Sequence, residues 1–259
     1  MRTILILLLL PVGAWLLLCI LLFASQRSFI YYPVPESQPA GAQSIRLRSG
    51  DADLKIWVVA RAGPRAILYF GGNGEDVAFN LAGFASAFPR HSLYLVNYRG
   101  YGGSSGAPTE AGLEVDAVAA FDHLRKTHAE ISVIGRSLGS GIATYLASVR
   151  PVQRLVLVTP FDSLVNVARG QMKLFPVVLL LRDRFESAAH APAIRVPTLL
   201  VVAGADRLIA RERSDALAAA FTAAPVRTVL IEGAGHNEID SRPQYLESIA
   251  EFLGAAPGV

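Results

Sequence analysis

The segment Ile131-Ser132-Val133-Ile134-Gly135-Arg136-Ser137-Leu138-Gly139-Ser140-Gly141 passes from an apolar run into a glycine-rich turn and then into a helical pattern. Its centre is G-x-S-x-G placed between a strand and a helix. A serine there sits on a tight, strained turn, and the flanking glycines let strand and helix backbones pass closely. Such a turn lifts the hydroxyl clear of the sheet and aims the helix N-terminus at whatever the hydroxyl attacks. The five-residue pattern alone also fits an ordinary glycine-rich strand–helix turn, so its partners matter.

Outward from this turn, apolar runs of strand length alternate with helical patterns. Strands are expected at 44–48, 54–60, 66–70, 92–97, 131–135, 154–159, 198–203 and 227–232. Helices are expected at 75–88, 109–128, 138–149, 211–221 and 243–253. From Ala66 onward most strands are continuous Leu/Val/Ile runs, as burial on both faces requires. This alternation predicts an α/β fold: a mostly parallel sheet with helices on both faces. Ligands in such sheets sit beyond the carboxyl ends of the strands.

Three of those ends carry reactive or polar groups. Ala203-Gly204-Ala205-Asp206 follows one strand, and Gly233-Ala234-Gly235-His236 follows the next. Of the five histidines, His123 and His128 fall on a surface-type helix, while His91 and His190 fall in loops. Only His236 follows a core strand in a loop of small residues. Tyr69-Phe70-Gly71-Gly72-Asn73-Gly74 ends the 66–70 strand and presents free backbone N–H groups ahead of a helix. The Asn73 N–H, with the Leu138 N–H after the serine, is expected to form an oxyanion hole. A phosphate loop is excluded because G-x-x-x-x-G-K-[ST] occurs nowhere. Asn97-Tyr98-Arg99-Gly100-Tyr101-Gly102-Gly103 resembles a dinucleotide fingerprint, but it follows a middle strand and runs into Ala107-Pro108 before any helix. It is expected to be a structural loop beside the pocket.

With these residues in place the chain resembles the α/β-hydrolases over residues 43–253. Within them it is similar to the small membrane-anchored branch related to serine aminopeptidase-like and lysophospholipase-like proteins. The residues that carry the likeness are Tyr98-Arg99-Gly100-Tyr101-Gly102, Pro108-Thr109-Glu110, Gly135-Arg136-Ser137-Leu138-Gly139, Asp206-Arg207 and Gly235-His236-Asn237. The resemblance implies an eight-stranded, mostly parallel sheet with a small lid over the site. The order Ser137, Asp206, His236 is the nucleophile–acid–histidine order of that fold. It implies a serine hydrolase acting on esters or thioesters of acyl, lipid-like small molecules, with no metal or organic cofactor. A peptidase on the same triad and a binding protein on a hydrolase scaffold are the alternatives. The family usually has His-Gly where this chain has Gly71-Gly72; that histidine shapes the oxyanion loop and does not attack.

A second acid is available. Asp162, in Thr159-Pro160-Phe161-Asp162, ends the strand before that of Asp206. Asp206 is expected to be the acid, because Gly204 and Ala205 permit a tight turn beside the histidine loop. Asp162-Ser163 is expected to be the N-cap of a lid helix. Between Asp162 and Thr198 lie 35 residues, more than an ordinary connection, and they include Phe175-Pro176-Val177-Val178-Leu179-Leu180-Leu181. A lid at about 163–195 is expected from them.

The N-terminus reads differently. Residues 4–24 form an unbroken uncharged run, long enough as a helix to span about 30 Å, the thickness of a bilayer core. Arg2 precedes it, and Arg27, Phe29, Tyr31 and Tyr32 follow as an interfacial belt. A cleaved signal would have a shorter core of about 7–15 residues and small residues before the cut. Leu22 or Phe23 stands at −3 of the available cuts, so an uncleaved transmembrane anchor is expected. Arg2 and the terminal amine favour a cytoplasmic N-terminus and an extracytoplasmic domain; Arg27 pulls the other way. Pro33, Pro35 and Pro39 mark an extended connector. The expected organisation is an anchor at 1–27, a connector at 28–42 and an α/β-hydrolase domain at 43–259.

Composition bounds the remaining classes. Hydrophobic residues are 52% and charged residues 17% of 259, the reverse of a disordered chain. The net charge is +3, carried by 21 Arg and 3 Lys without a basic block, so no nucleic-acid partner is indicated. One cysteine, Cys19, excludes a disulfide scaffold and a structural zinc site. The mean hydropathy of +0.40 has its local cause in the N-terminal run.

Overall fold

Among residues 2–254, which the computed structural model describes, eight strands form one sheet. Residue 1 and residues 255–259, the outer ends of the expected anchor and domain, lie outside the described residues. The strands are β1 (Gln43–Ser49), β2 (Ala52–Val59), β3 (Arg65–Phe70), β4 (Ser92–Val96), β5 (Glu130–Arg136), β6 (Leu155–Val158), β7 (Thr198–Ala203) and β8 (Val226–Ile231). Their order is β1-β2-β4-β3-β5-β6-β7-β8. The β1–β2 and β2–β4 pairs are antiparallel; all others are parallel. The β1–β2 hairpin turns through Gly50 and Asp51, with Gly50 at φ +55°, a conformation that glycine adopts without steric cost. Burial follows position in this order. β3, β5, β6 and β7 are buried almost throughout, whereas β1 and β8 at the edges alternate or stay partly exposed.

The helices are α1 (Arg2–Ile30), α2 (Leu81–Ala87), α3 (Glu110–Leu124), α4 (Leu138–Val149), α5 (Leu164–Gln171), α6 (Val177–Leu180), α7 (Ser187–His190), α8 (Arg211–Ala220) and α9 (Pro243–Leu253). Because side chains alternate across a strand, the sheet feeds two separate cores. Leu68 and Phe70 pack toward α3, α4 and α8. Ile67 and Tyr69, from the same strand, pack toward α2 and α9. The structural reading of the Tyr98–Gly102 loop agrees with its contacts. Arg99, buried, makes a two-bond ion pair with Asp116 of α3 (2.8 and 2.7 Å) and so clamps the loop onto that helix.

Two local expectations are corrected. The helix expected at 75–88 is a 3-10 turn, Val77–Asn80, followed by α2; Asp76 caps it by accepting from the Ala78 N–H (3.0 Å). The helix expected at 109–128 ends at Leu124. His128 therefore lies beyond it, buried and bonded to the Tyr94 hydroxyl (2.8 Å), and His91 is buried too.

In α1 the segment Leu9–Ile30 is long and apolar enough to cross a membrane, and most of its outward leucines are exposed. Its carboxyl end does not hang free. The Arg27 guanidinium pairs with buried Asp183 (3.0 Å), and the Tyr31 hydroxyl donates to the same carboxylate (3.1 Å). Tyr31 is thus buried and does not belong to an interfacial belt, whereas Phe29 and Tyr32 are exposed. Burial first, and then the Asp183 charge, pushes the Tyr31 hydroxyl well above the ordinary phenol range. The connector continues along the body: Lys55 pairs with Glu36 (2.8 Å), and the Val34 carbonyl accepts from the Gly102 N–H (2.9 Å).

Candidate active site

The turn between β5 and α4 is as tight as its glycines require. A Cβ on Gly135 would lie 2.2 Å from the Gly139 carbonyl oxygen, and one on Gly139 would lie 2.1 Å from that of Phe70. No side chain fits at either place. Ser137 between them has φ +50° and ψ −114°, a region that costs a non-glycine residue about 1–3 kcal/mol. The turn is held by the Ser137 N–H, which donates to the Val158 carbonyl (2.8 Å).

Two further strand ends converge on this hydroxyl. His236 Nε2 lies 2.9 Å from Ser137 Oγ, and His236 Nδ1 lies 2.7 Å from Asp206 Oδ2. A carboxylate has no proton to donate, so Nδ1 carries the hydrogen and Nε2 is free to accept from the serine. The other Asp206 oxygen accepts the N–H groups of Leu208 and Ile209 (both 2.8 Å). The turns after β7 and β8 are stitched together: the Ala205 N–H donates to the Ala234 carbonyl (2.8 Å), and the Gly204 N–H to that of Ile231 (2.9 Å). Both side chains are nearly out of solvent, so their mutual orientation is held by protein and not by water.

Asp162 is elsewhere engaged. Its Oδ2 accepts from Asn166 Nδ2 (2.6 Å) and pairs with Arg213 (3.2 Å). The expectation that Asp162 takes part in the N-cap is corrected. Ser163 is the cap of α5, its hydroxyl accepting from the Asn166 N–H (3.1 Å). Asp162 instead fastens the start of the lid to α8.

The loop after β3 is built around Glu75, which the sequence reading passed over. Its carboxylate accepts from the Gly72 N–H, the Tyr69 hydroxyl and Asn80 Nδ2, each at 2.6 Å. It also meets Arg136 at 3.5 Å, which in turn pairs with Asp240 (2.9 Å) and donates to the Asn237 carbonyl (3.2 Å). Arg136, the residue before the serine, thereby ties the elbow to both the loop after β3 and the histidine loop. With the Gly72 N–H taken, the Asn73 N–H is the next donor along the loop, and among the described residues it has no acceptor. The Leu138 N–H opens α4, where helix N–H groups lack intrahelical acceptors. The Asn73 side chain has another task. Its Oδ1 accepts from the Tyr101 hydroxyl (2.8 Å) and the Tyr32 N–H (2.9 Å), and its Nδ2 donates to the Ile30 carbonyl (2.5 Å). A signal for Glu75 existed: an acid three residues after a loop glycine reaches back to that N–H, as at a helix start.

Above Ser137 and Leu138 lies a cavity of about 490 Å³, within the size range of small-ligand pockets. The lid helices α5 and α6 form its roof, with Val167, Met172 and Leu180 facing in. Among the described residues no carboxylate lines it. The lid returns to the body through Glu110, whose carboxylate accepts the N–H groups of Arg184 and Phe185 (both 2.6 Å). Burial, partly offset by those two bonds, holds the Glu110 carboxyl above its usual range.

Known proteins share this architecture. A family model described as the alpha/beta hydrolase fold matches residues 66–183. An uncharacterised protein of Mycobacterium tuberculosis is 34% identical over 256 residues, covering 90% of this chain and 88% of the relative. Human alpha/beta hydrolase domain-containing protein 17B is 28% identical over 241 residues, covering 90% of this chain and 81% of its own. Among solved structures, the esterase Pf2001 of Pyrococcus furiosus superposes with a TM-score of 0.71 at 18% identity, over 86% of this chain and 98% of the esterase. The sheet order, the serine elbow between β5 and α4 and these matches lead to one assignment: the chain belongs to the α/β-hydrolase superfamily.

Proposed function

We propose that the protein is a membrane-anchored serine hydrolase that cleaves carboxylic esters or thioesters of acyl, lipid-like molecules. The observation that carries the reading is the continuous hydrogen-bond chain Ser137–His236–Asp206. Ser137 Oγ attacks the acyl carbon while His236 Nε2 takes its proton. Asp206 holds the imidazole in the required tautomer and stabilises the imidazolium. The Asn73 and Leu138 N–H groups receive the developing oxyanion. The tetrahedral intermediate collapses with His236 protonating the leaving alcohol or thiol, leaving an ester between Ser137 and the acyl group. Water, deprotonated by His236, then releases the acid and restores the serine. The apolar cavity supports an acyl substrate, because burying a hydrocarbon chain there removes it from water.

A fluorophosphonate probe is expected to label the protein at Ser137. In a panel of p-nitrophenyl esters of rising chain length beside aminoacyl anilides, the esters are expected to turn over faster. Anilides cleaved faster than every ester would reassign the protein as a peptidase, and absence of both labelling and turnover would leave a binding protein on this scaffold.

The anchor has its own expected result. The full-length chain should sediment with membranes and resist alkaline carbonate, on the strength of the apolar α1. A mature soluble form beginning near Ser25 would show that the segment is a cleaved signal.

A further inference from the structure

We propose that the last turns of α1 are part of the substrate site, forming one wall of the acyl-chain cavity and setting the chain length it accepts. This deepens the esterase reading and rests on it. Leu22, Gln26, Phe29 and Ile30 line the cavity that also contains Ser137. Their spacing of four, then three, then one places them on a single face of the helix. A helix that only anchored the protein would have no reason to direct a face into the site.

The contacts that seat this wall are specific. Gln26 accepts from the Arg182 N–H (2.7 Å) and donates to the Leu180 carbonyl (3.0 Å). Arg27 and Tyr31 both hold Asp183. Farther back, the Trp15 indole donates to the Leu174 carbonyl (3.0 Å). The lid is therefore hung from α1 at residues 174, 180, 182 and 183. On the other side, Asn73 of the oxyanion loop grips the Ile30 carbonyl and the Tyr32 N–H. One short segment, 22–32, thus joins roof, acyl cavity and oxyanion loop. The segment that fixes the protein at a membrane is the same one that a bound acyl chain touches.

The test uses the full-length protein at one fixed detergent concentration. Leu22→Trp fills the cavity from the α1 side, Leu22→Ala enlarges it, and Leu17→Trp adds the same bulk on an exposed part of the helix outside the cavity. The readout is the ratio of kcat/KM for p-nitrophenyl dodecanoate to that for the butyrate. Each buried methylene is worth roughly fourfold in binding, so excluding two or three is expected to lower the ratio at least tenfold in Leu22→Trp. Leu22→Ala is expected to move the optimum toward longer chains, and it carries the test if the tryptophan variant does not fold. Leu17→Trp is expected to keep the wild-type ratio. Fluorescence titration with cis-parinaric acid, a fatty acid, in a Ser137→Ala background gives a second reading that needs no turnover; Leu22→Trp should weaken it at least tenfold. If fatty-acid binding weakens but no ester is ever hydrolysed, the wall stands and the esterase reading falls. If esters are hydrolysed while ratio, optimum and fatty-acid binding all stay at wild-type values, the esterase reading stands and the wall is overturned.

Discussion

Ser137→Ala is expected to lower ester turnover by about 10⁶-fold, the scale seen when the nucleophile of a serine hydrolase is removed. What remains should be only about 10³–10⁴-fold above water, supplied by the oxyanion donors and by binding. The loss should come without unfolding. Alanine keeps a Cβ of the same size at the same strained φ, and among the described residues the hydroxyl's hydrogen-bond partner is His236 alone. Thermal unfolding of the variant should match wild type, and fluorophosphonate labelling should vanish. Near-normal turnover in a folded Ser137→Ala protein would remove the nucleophile from the proposed mechanism.

The second large effect separates the two aspartates. Asp206→Asn is expected to lower turnover by about 10⁴-fold, because an amide presents the wrong group to His236 Nδ1 and favours the wrong tautomer. The Leu208 and Ile209 N–H bonds survive on the remaining carbonyl oxygen, so the protein should stay folded. Asp162→Asn is expected to do the opposite. It removes the charge that meets Arg213 and weakens a buried hydrogen bond, at a cost of about 1–3 kcal/mol in stability, while turnover persists. Steady-state kinetics beside thermal melts of both variants check the pair. An inactive but folded Asp162→Asn protein together with an active Asp206→Asn protein would transfer the acid to the end of β6.

The elbow, the strand runs and the three strand ends that bear Ser137, Asp206 and His236 were legible because each depends on local chemistry. Gly135 and Gly139 are required by contacts within a few residues of the serine or with the adjacent strand, and a glycine-bracketed serine between a strand and a helix advertises that need. Continuous apolar runs announce strands buried on both faces whatever their neighbours are. The same logic misled where two assignments share one local pattern. Asp162 and Ser163 are both good capping residues, and only the arrival of Arg213 from α8 commits Asp162 elsewhere. Glu75 sits in a helical pattern, yet it leaves the helix because four donors converge on it from the loop, the strand, Asn80 and the elbow.

What the amino-acid order determined by itself is the fold class, the apolar N-terminal segment and the three groups of the hydrogen-bond chain. Tertiary structure alone decided that Arg136 links the elbow to two other loops, that Asn73 spends its side chain on the exit from α1, and that α1 walls the cavity. The physical reason is sequence distance. Hydrophobic period and turn sterics act between residues a few positions apart, so they can be read along the chain. The Arg27–Asp183 and Asn73–Ile30 contacts join residues 156 and 43 positions apart, and nothing in a uniformly apolar helix marks which of its faces a distant lid will use.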